Sequence, residues 1–83
     1  MNPKKTLEKI LAGSKNVPFD DLVSLAVAFG FSIDGIRGSH HILSHPACRE
    51  ILNLQEVKGK AIPYQVRQLL KLVDRYGLTL EED

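Results

Sequence analysis

Two short runs joined by two residues constrain the fold of this 83-residue chain more than any other feature. Residues 31–37 (FSIDGIR) and 40–45 (HHILSH) each have the length and the apolar content of a strand. Only Gly38 and Ser39 lie between them, and a two-residue link that contains glycine is typical of a hairpin turn. The stretch therefore predicts two antiparallel, neighbouring strands.

The segments on either side have mainly helical periodicity. Apolar residues recur at helical spacing in 3–12, 18–29 and 63–76, which predicts a helix in each segment. Residues 51–57 predict a third strand, and 58–63 is interpreted as a basic connector. The order α-α-β-β-β-α indicates an α+β domain, with a three-stranded antiparallel sheet and the helices segregated to one face.

The third strand alternates imperfectly, so the sequence leaves open which of its sides is buried. One side carries Ile51, Asn53, Gln55 and Val57, and the other carries Leu52, Leu54 and Glu56. The two amides, Asn53 and Gln55, could hydrogen-bond RNA or face water, and the second interpretation is favoured.

Two helices are expected to end at a glycine followed by an apolar residue. The pairs are Gly30 with Phe31 and Gly77 with Leu78. This pattern is typical of the Schellman ending, in which the apolar residue packs back against the helix.

Length and composition indicate one domain spanning 1–83, with a core at about 18–78. The helix at 3–12 is an addition to that core, and the acidic tail at 79–83 is expected to fray. The net charge of +1 excludes a strongly cationic nucleic-acid binder, although local basic patches remain compatible with it.

A single cysteine, Cys48, excludes an internal disulfide and a cysteine-based zinc site, and it favours a reducing cytoplasm. The first 14 residues lack the continuous apolar run of a signal peptide. No segment approaches the roughly 20 apolar residues that span a bilayer. We therefore expect a cytoplasmic protein with no membrane association.

All three histidines of the chain lie at 40–45, which raises the question of a metal site. His41 and His45 are four residues apart, and on a strand that spacing is about 13 Å. Zinc–nitrogen bonds are only about 2.0–2.1 Å long, so the two side chains could not share an ion without a sharp bend in the strand. No metal and no other cofactor is expected.

Adjacent strand residues point to opposite faces, which separates His40 from His41. If Leu43 points into the core, His40 lies on the open face of the sheet. Imidazole has a reference pKa near 6.5, so an exposed histidine there could transfer a proton at neutral pH. Spacing alone favours the simpler interpretation, in which His40 is a solvated strand residue and His41 is half-buried.

The motif GSHHILSHP resembles the central motif of the HicA-type (YcfA-like) mRNA interferase toxins. The helix ending in AFGF, the strand SIDGIR, the third strand, and a basic turn before a helix ending in YGL follow in that family's order. The resemblance covers most of residues 19–78. It implies a fold like the double-stranded-RNA-binding domain, cleavage of mRNA as the toxin of a type II toxin–antitoxin pair, and inhibition by a HicB-type antitoxin.

The family's catalytic residue is the histidine that follows Gly-Ser, which is His40 in this chain. Some family members carry Gly-Ser-Asn-His, and that alignment makes His41 the reserve candidate. A metal-free cleavage of RNA needs a general base for the 2′-OH, and His40 is assigned that role. Cations would stabilise the charged phosphorane. The expected RNA-binding residues are Arg37, Gly38, Ser39, Lys58 and Lys60.

Two other functions are compatible with the same residues. One is an RNA-binding module of the same fold that does not cleave. The other is a domain whose open sheet face binds a protein partner.

Overall fold

The computed structural model describes residues 2–81. Within that range it has three helices and one four-stranded antiparallel sheet, so the α+β class is confirmed. In chain order the elements are α1 (Pro3–Leu11), α2 (Phe19–Ala28), β1 (Ser32–Arg37), β2 (His40–Ser44), β3 (Leu52–Val57), β4 (Lys60–Ala61) and α3 (Pro63–Tyr76). The strands neighbour one another in the order β1-β2-β3-β4. None of the helices in this range has the length and apolar character needed to cross a bilayer.

The prediction of a three-stranded sheet is wrong, because the sheet has a fourth, short strand. The segment expected to be only a connector folds into β4, where Lys60 pairs with Val57 and Ala61 pairs with Glu56. The turn between the strands has positive φ at both central residues, Lys58 (+53°) and Gly59 (+77°), as in a type I′ turn. Lysine seldom adopts such a φ, so the sequence Lys-Gly does not signal this turn as Asn-Gly would.

The two outer edges of the sheet differ. The edge of β4 is covered by the chain that leads into α2, because Ala61 N–H donates to Val17 O (2.8 Å) and Phe19 N–H donates to Gly59 O (2.9 Å). Within residues 2–81 no strand pairs with the outer edge of β1.

The leucine side of β3 is the buried side, which settles the question that its alternation leaves open. Leu43 on β2 and Leu54 on β3 are fully buried, and Leu52 is nearly so. Helices α2 and α3 pack against this side and α1 packs on α2, with Phe19, Leu22, Leu25, Ala26, Val66, Leu69 and Leu72 completing the core. The other face of the sheet is left open by the residues that the structure describes.

Both predicted Schellman endings are present. Phe31 N–H donates to Ala26 O (3.1 Å), and Leu78 N–H donates to Val73 O (3.0 Å). Gly30 has a φ of +102°, a conformation that favours glycine, and Phe31 is buried as expected.

The tail is more ordered than expected. Leu78 and Leu80 pack against the core, and Glu81 N–H donates to Ala28 O (2.7 Å). Fraying is therefore not seen at 79–81, because an apolar residue at every second position anchors this segment. The remainder of the expected frayed tail, 82–83, lies outside the described residues.

Candidate functional site

The hairpin between β1 and β2 fixes the backbone of His40. Gly38 has a φ of +58° at the first central position of the two-residue turn, the pattern of a type II′ turn. His40 is the first residue of β2, and it pairs with Arg37 on β1 and with Gln55 on β3. Pairing on both sides makes this a rigid position for a chemically active side chain.

The imidazole of His40 lies on the open face of the sheet, as predicted for the case in which Leu43 is buried. Its Nδ1 is 2.9 Å from Oδ1 of Asn53. An amide oxygen can only accept, so Nδ1 carries the ring proton and donates it. The lone pair is then on Nε2, which has no hydrogen-bond partner among the residues that the structure describes. This is the form of histidine that can take a proton from another molecule.

The structure brings the predicted cations to the same end of the sheet as His40. Because β2 and β3 are antiparallel, the β1–β2 turn and the β3–β4 turn lie at one end, and Glu56 N–H donates to Ser39 O (2.9 Å). Cross-strand pairing places Arg37 on the same face as His40. Lys60 lies on that face as well, because it pairs with Val57. Lys58 lies in the turn itself, and all three cations are exposed.

His41 lies on the opposite face, so the predicted separation of the two adjacent histidines is confirmed. It pairs with Ile36 and Leu54, and its ring meets Phe19 edge to face, with centroids 4.9 Å apart. Its Nδ1 is buried without a hydrogen-bond partner. His41 is therefore half-buried against the core, away from the open face that presents His40.

His45 uses both ring nitrogens inside the fold. Its Nδ1 accepts from Ala47 N–H (3.0 Å), so Nε2 carries the proton and donates to Phe29 O (3.1 Å). The ring also meets Phe31 edge to face. These contacts give His45 a structural role and a tautomer opposite to that of His40.

A second polar cluster joins the loop before β3 to the end of α3. The carboxylate of Glu50 accepts from the Tyr76 hydroxyl (2.6 Å) and pairs with Arg75. The pKa of Glu50 is lowered, most of all by the hydrogen bond from Tyr76. A hydrogen bond from the backbone N–H of Glu50 itself and the charge of Arg75 lower it further. Burial, and then the Glu50 carboxylate, raise the pKa of the nearby Cys48 thiol. A thiol held neutral in this way is a poor nucleophile.

The contact of Asn53 with His40 is the part of the site that the sequence did not predict, since the favoured interpretation of Asn53 was a side chain facing water. Its alternation with Gln55 placed both amides on one side of β3. The partner of His40 depends on the register of β2 against β3, in which His40 pairs directly with Gln55 and diagonally reaches Asn53. A sequence without a known register cannot choose between the two.

Together these residues place an imidazole whose Nε2 has no partner among residues 2–81 at the same end of the sheet as three exposed cations, on a face that a large molecule can reach. No group of three histidine, cysteine, aspartate or glutamate side chains within residues 2–81 could hold a metal ion. Comparisons of the chain with protein-family models, with curated proteins and with solved structures found no match.

Proposed function

We propose that this chain is a metal-independent endoribonuclease that cleaves mRNA, the toxin of a HicA/HicB-type pair. The observation that carries the proposal is His40, which follows Gly-Ser and presents a free Nε2 on the open face. A fold like the double-stranded-RNA-binding domain belongs to the same proposal. It is supported by the order helix, three antiparallel strands, helix, with β4 as a short addition.

In the proposed reaction the nucleophile belongs to the substrate. Nε2 of His40 takes the proton of a ribose 2′-OH while that oxygen attacks the adjacent phosphorus. The bond from phosphorus to the 5′ oxygen breaks, which leaves a 2′,3′-cyclic phosphate and a 5′ hydroxyl that takes its proton from water. Because the attacking group is within the RNA, the step requires no metal-bound water, and DNA lacks the group.

The neighbours of His40 suit a phosphate backbone. Gly38 has no side chain and Ser39 has a small one, so a sugar–phosphate chain can come close to the turn. Arg37, Lys58 and Lys60 are the cations that would stabilise the extra negative charge of the phosphorane. Cytoplasmic mRNA is the proposed substrate, and a HicB-type antitoxin is the proposed inhibitor.

The proposal is tested with purified protein and a single-stranded RNA in the presence of EDTA. The wild type should cleave, and His40→Gln should be slower by about 10²–10⁴-fold, the usual contribution of a positioned base. His41→Phe tests the reserve candidate and should retain cleavage, because its ring faces the core. Circular dichroism establishes that both variants are folded.

An RNA with a single 2′-deoxy nucleotide at the cut site gives the second test. Cleavage at that site should stop, and undiminished cleavage there would contradict the proposed chemistry. Equal rates for the wild type and His40→Gln would remove His40 from the active site. RNA binding by the wild type without any cleavage would favour the non-catalytic RNA-binding module. A wild type that neither binds nor cleaves RNA would favour the protein-interaction domain.

A further inference from the structure

The contact between His40 and Asn53 crosses two strands diagonally. Asn53 pairs through its backbone with Ile42, while the direct partner of His40 is Gln55. The side chain of Asn53 nevertheless reaches His40, with Oδ1 2.9 Å from Nδ1. Both side chains emerge from paired strands, so the distance between them is set by the sheet and not by a loop.

We infer that Asn53 is a positioning residue, which holds the ring of His40 in one orientation with the proton on Nδ1. The inference rests on the proposed function for its effect on RNA cleavage, but the state of the ring can be measured without RNA.

Two properties of imidazole make this contact matter. A neutral imidazole has two tautomers, and only the one protonated at Nδ1 leaves Nε2 able to accept a proton. The ring can also make a half-turn, which puts Cδ2 in the place of Nδ1 and Cε1 in the place of Nε2. An acceptor fixed at Nδ1 selects both the tautomer and the rotation, in the way that a catalytic histidine is oriented by a third group.

His45 supplies an internal reference for the same measurement. Ala47 N–H and Phe29 O hold its proton on Nε2, the opposite of the state inferred for His40. Neither of those partners contacts Asn53. A change at position 53 should therefore alter the ring signals of His40 and leave those of His45 unchanged.

The experiment measures the imidazole ¹⁵N shifts by long-range ¹H–¹⁵N NMR at a pH where the rings are neutral, with His40 assigned from His40→Gln. In the wild type, His40 should show a protonated Nδ1 and His45 a protonated Nε2. In Asn53→Ala the His40 signals should move toward the other tautomer. In Asn53→Asp, which keeps an acceptor oxygen, Nδ1 should remain protonated.

Cleavage by the same variants gives the second readout. Asn53→Ala should lower kcat by about 10–100-fold with a smaller change in KM, a fraction of what loss of the base costs. Asn53→Asp should recover most of kcat, because it keeps an acceptor oxygen for Nδ1 of His40. Gln55→Ala removes an amide from the same face of the same strand and should leave the His40 tautomer unchanged.

Four results would be decisive. A wild-type His40 protonated at Nε2, or a tautomer unaffected by Asn53→Ala, overturns the inference. Wild-type cleavage that is unchanged in Asn53→Ala overturns the catalytic consequence and leaves the proposed function intact. An absence of cleavage by the wild type contradicts the proposed function, and the NMR result then decides the positioning role alone.

Discussion

Gly30 lies where the end of α2 meets the imidazole of His45. A Cβ at this position would be 2.7 Å from Nε2 of His45, closer than real contacts allow. Gly13 ends α1 with a similar φ, +97° against +102°, but a Cβ there would meet nothing within 4 Å. The two glycines therefore differ in their surroundings and hardly at all in their backbone.

This difference predicts that alanine lowers the free energy of unfolding by different amounts at the two positions. Gly13→Ala should lower the free energy of unfolding by about 1–2 kcal/mol, the cost of a left-handed conformation. Gly30→Ala should cost roughly 1 kcal/mol more, because His45 must give up its hydrogen bond to Phe29 O. Urea denaturation measures both. In a His45→Ala background the two costs should become equal, and a persistent gap would show that His45 is not the cause.

At the scale of elements, the sequence predicted most of the fold because local signals are strong in this chain. The helix endings at Gly30 and Gly77 and the Gly38–Ser39 turn each depend on neighbouring residues alone, and all were confirmed. Strand β4 was missed because its turn uses a lysine with positive φ. Asn53 was missed because its role arises from the pairing of two strands, which no local pattern encodes.

In the turn between β3 and β4, Lys58 has a positive φ that is unfavourable for stability, and it is also a proposed RNA-binding residue. Lys58→Asn creates Asn-Gly, the preferred type I′ sequence, and should raise the free energy of unfolding by about 0.5–1 kcal/mol. Lys60→Asn is the matched control, since it removes the same charge from a residue in β4 and should give no gain. Urea midpoints of the two variants test this, and equal changes would refute it.

The Glu50 cluster predicts how the attachment of α3 responds to acid. The pKa of Glu50 in the folded protein is lowered from its usual 4.5, so the folded state binds this proton less readily than the unfolded chain. Its contribution to stability is present above pH 4.5 and is lost as the pH falls through the lowered pKa. Between about pH 5 and pH 3, urea midpoints should fall less for Glu50→Gln than for the wild type.

Tyr76→Phe removes the largest cause of that shift. It should return the pKa of Glu50 toward its usual value, as measured by ¹³C NMR titration of the carboxyl carbon. An unchanged Glu50 titration in Tyr76→Phe would mean that Arg75 and the backbone hold the carboxylate without the hydroxyl.

At the scale of the whole molecule, a net charge of +1 limits the electrostatic attraction of RNA. If only Arg37, Lys58 and Lys60 contact phosphates, the logarithm of single-stranded RNA affinity should fall against the logarithm of salt concentration with a slope of about −2. Fluorescence anisotropy across salt concentrations measures this slope. Neutralising one of the three cations should reduce the slope by about 0.7.

Lys71 on α3 is the control, since it is exposed on another element of the fold. Lys71→Gln should leave the slope unchanged. A slope much steeper than about −2 in the wild type would show that RNA contacts more of the molecule than one end of the sheet.

Among residues 2–81, the two sides of the sheet differ in how their outermost strands are covered. The segment from Val17 to Phe19 bonds along β4, whereas β1 has no neighbour on its outer side among the described residues. Strand addition between two identical chains along β1 would use the outer edge of β1 in both and join their sheets into one. Such a pair leaves no outer β1 edge for a third native copy, so growth into a fibril through this edge stops at two molecules.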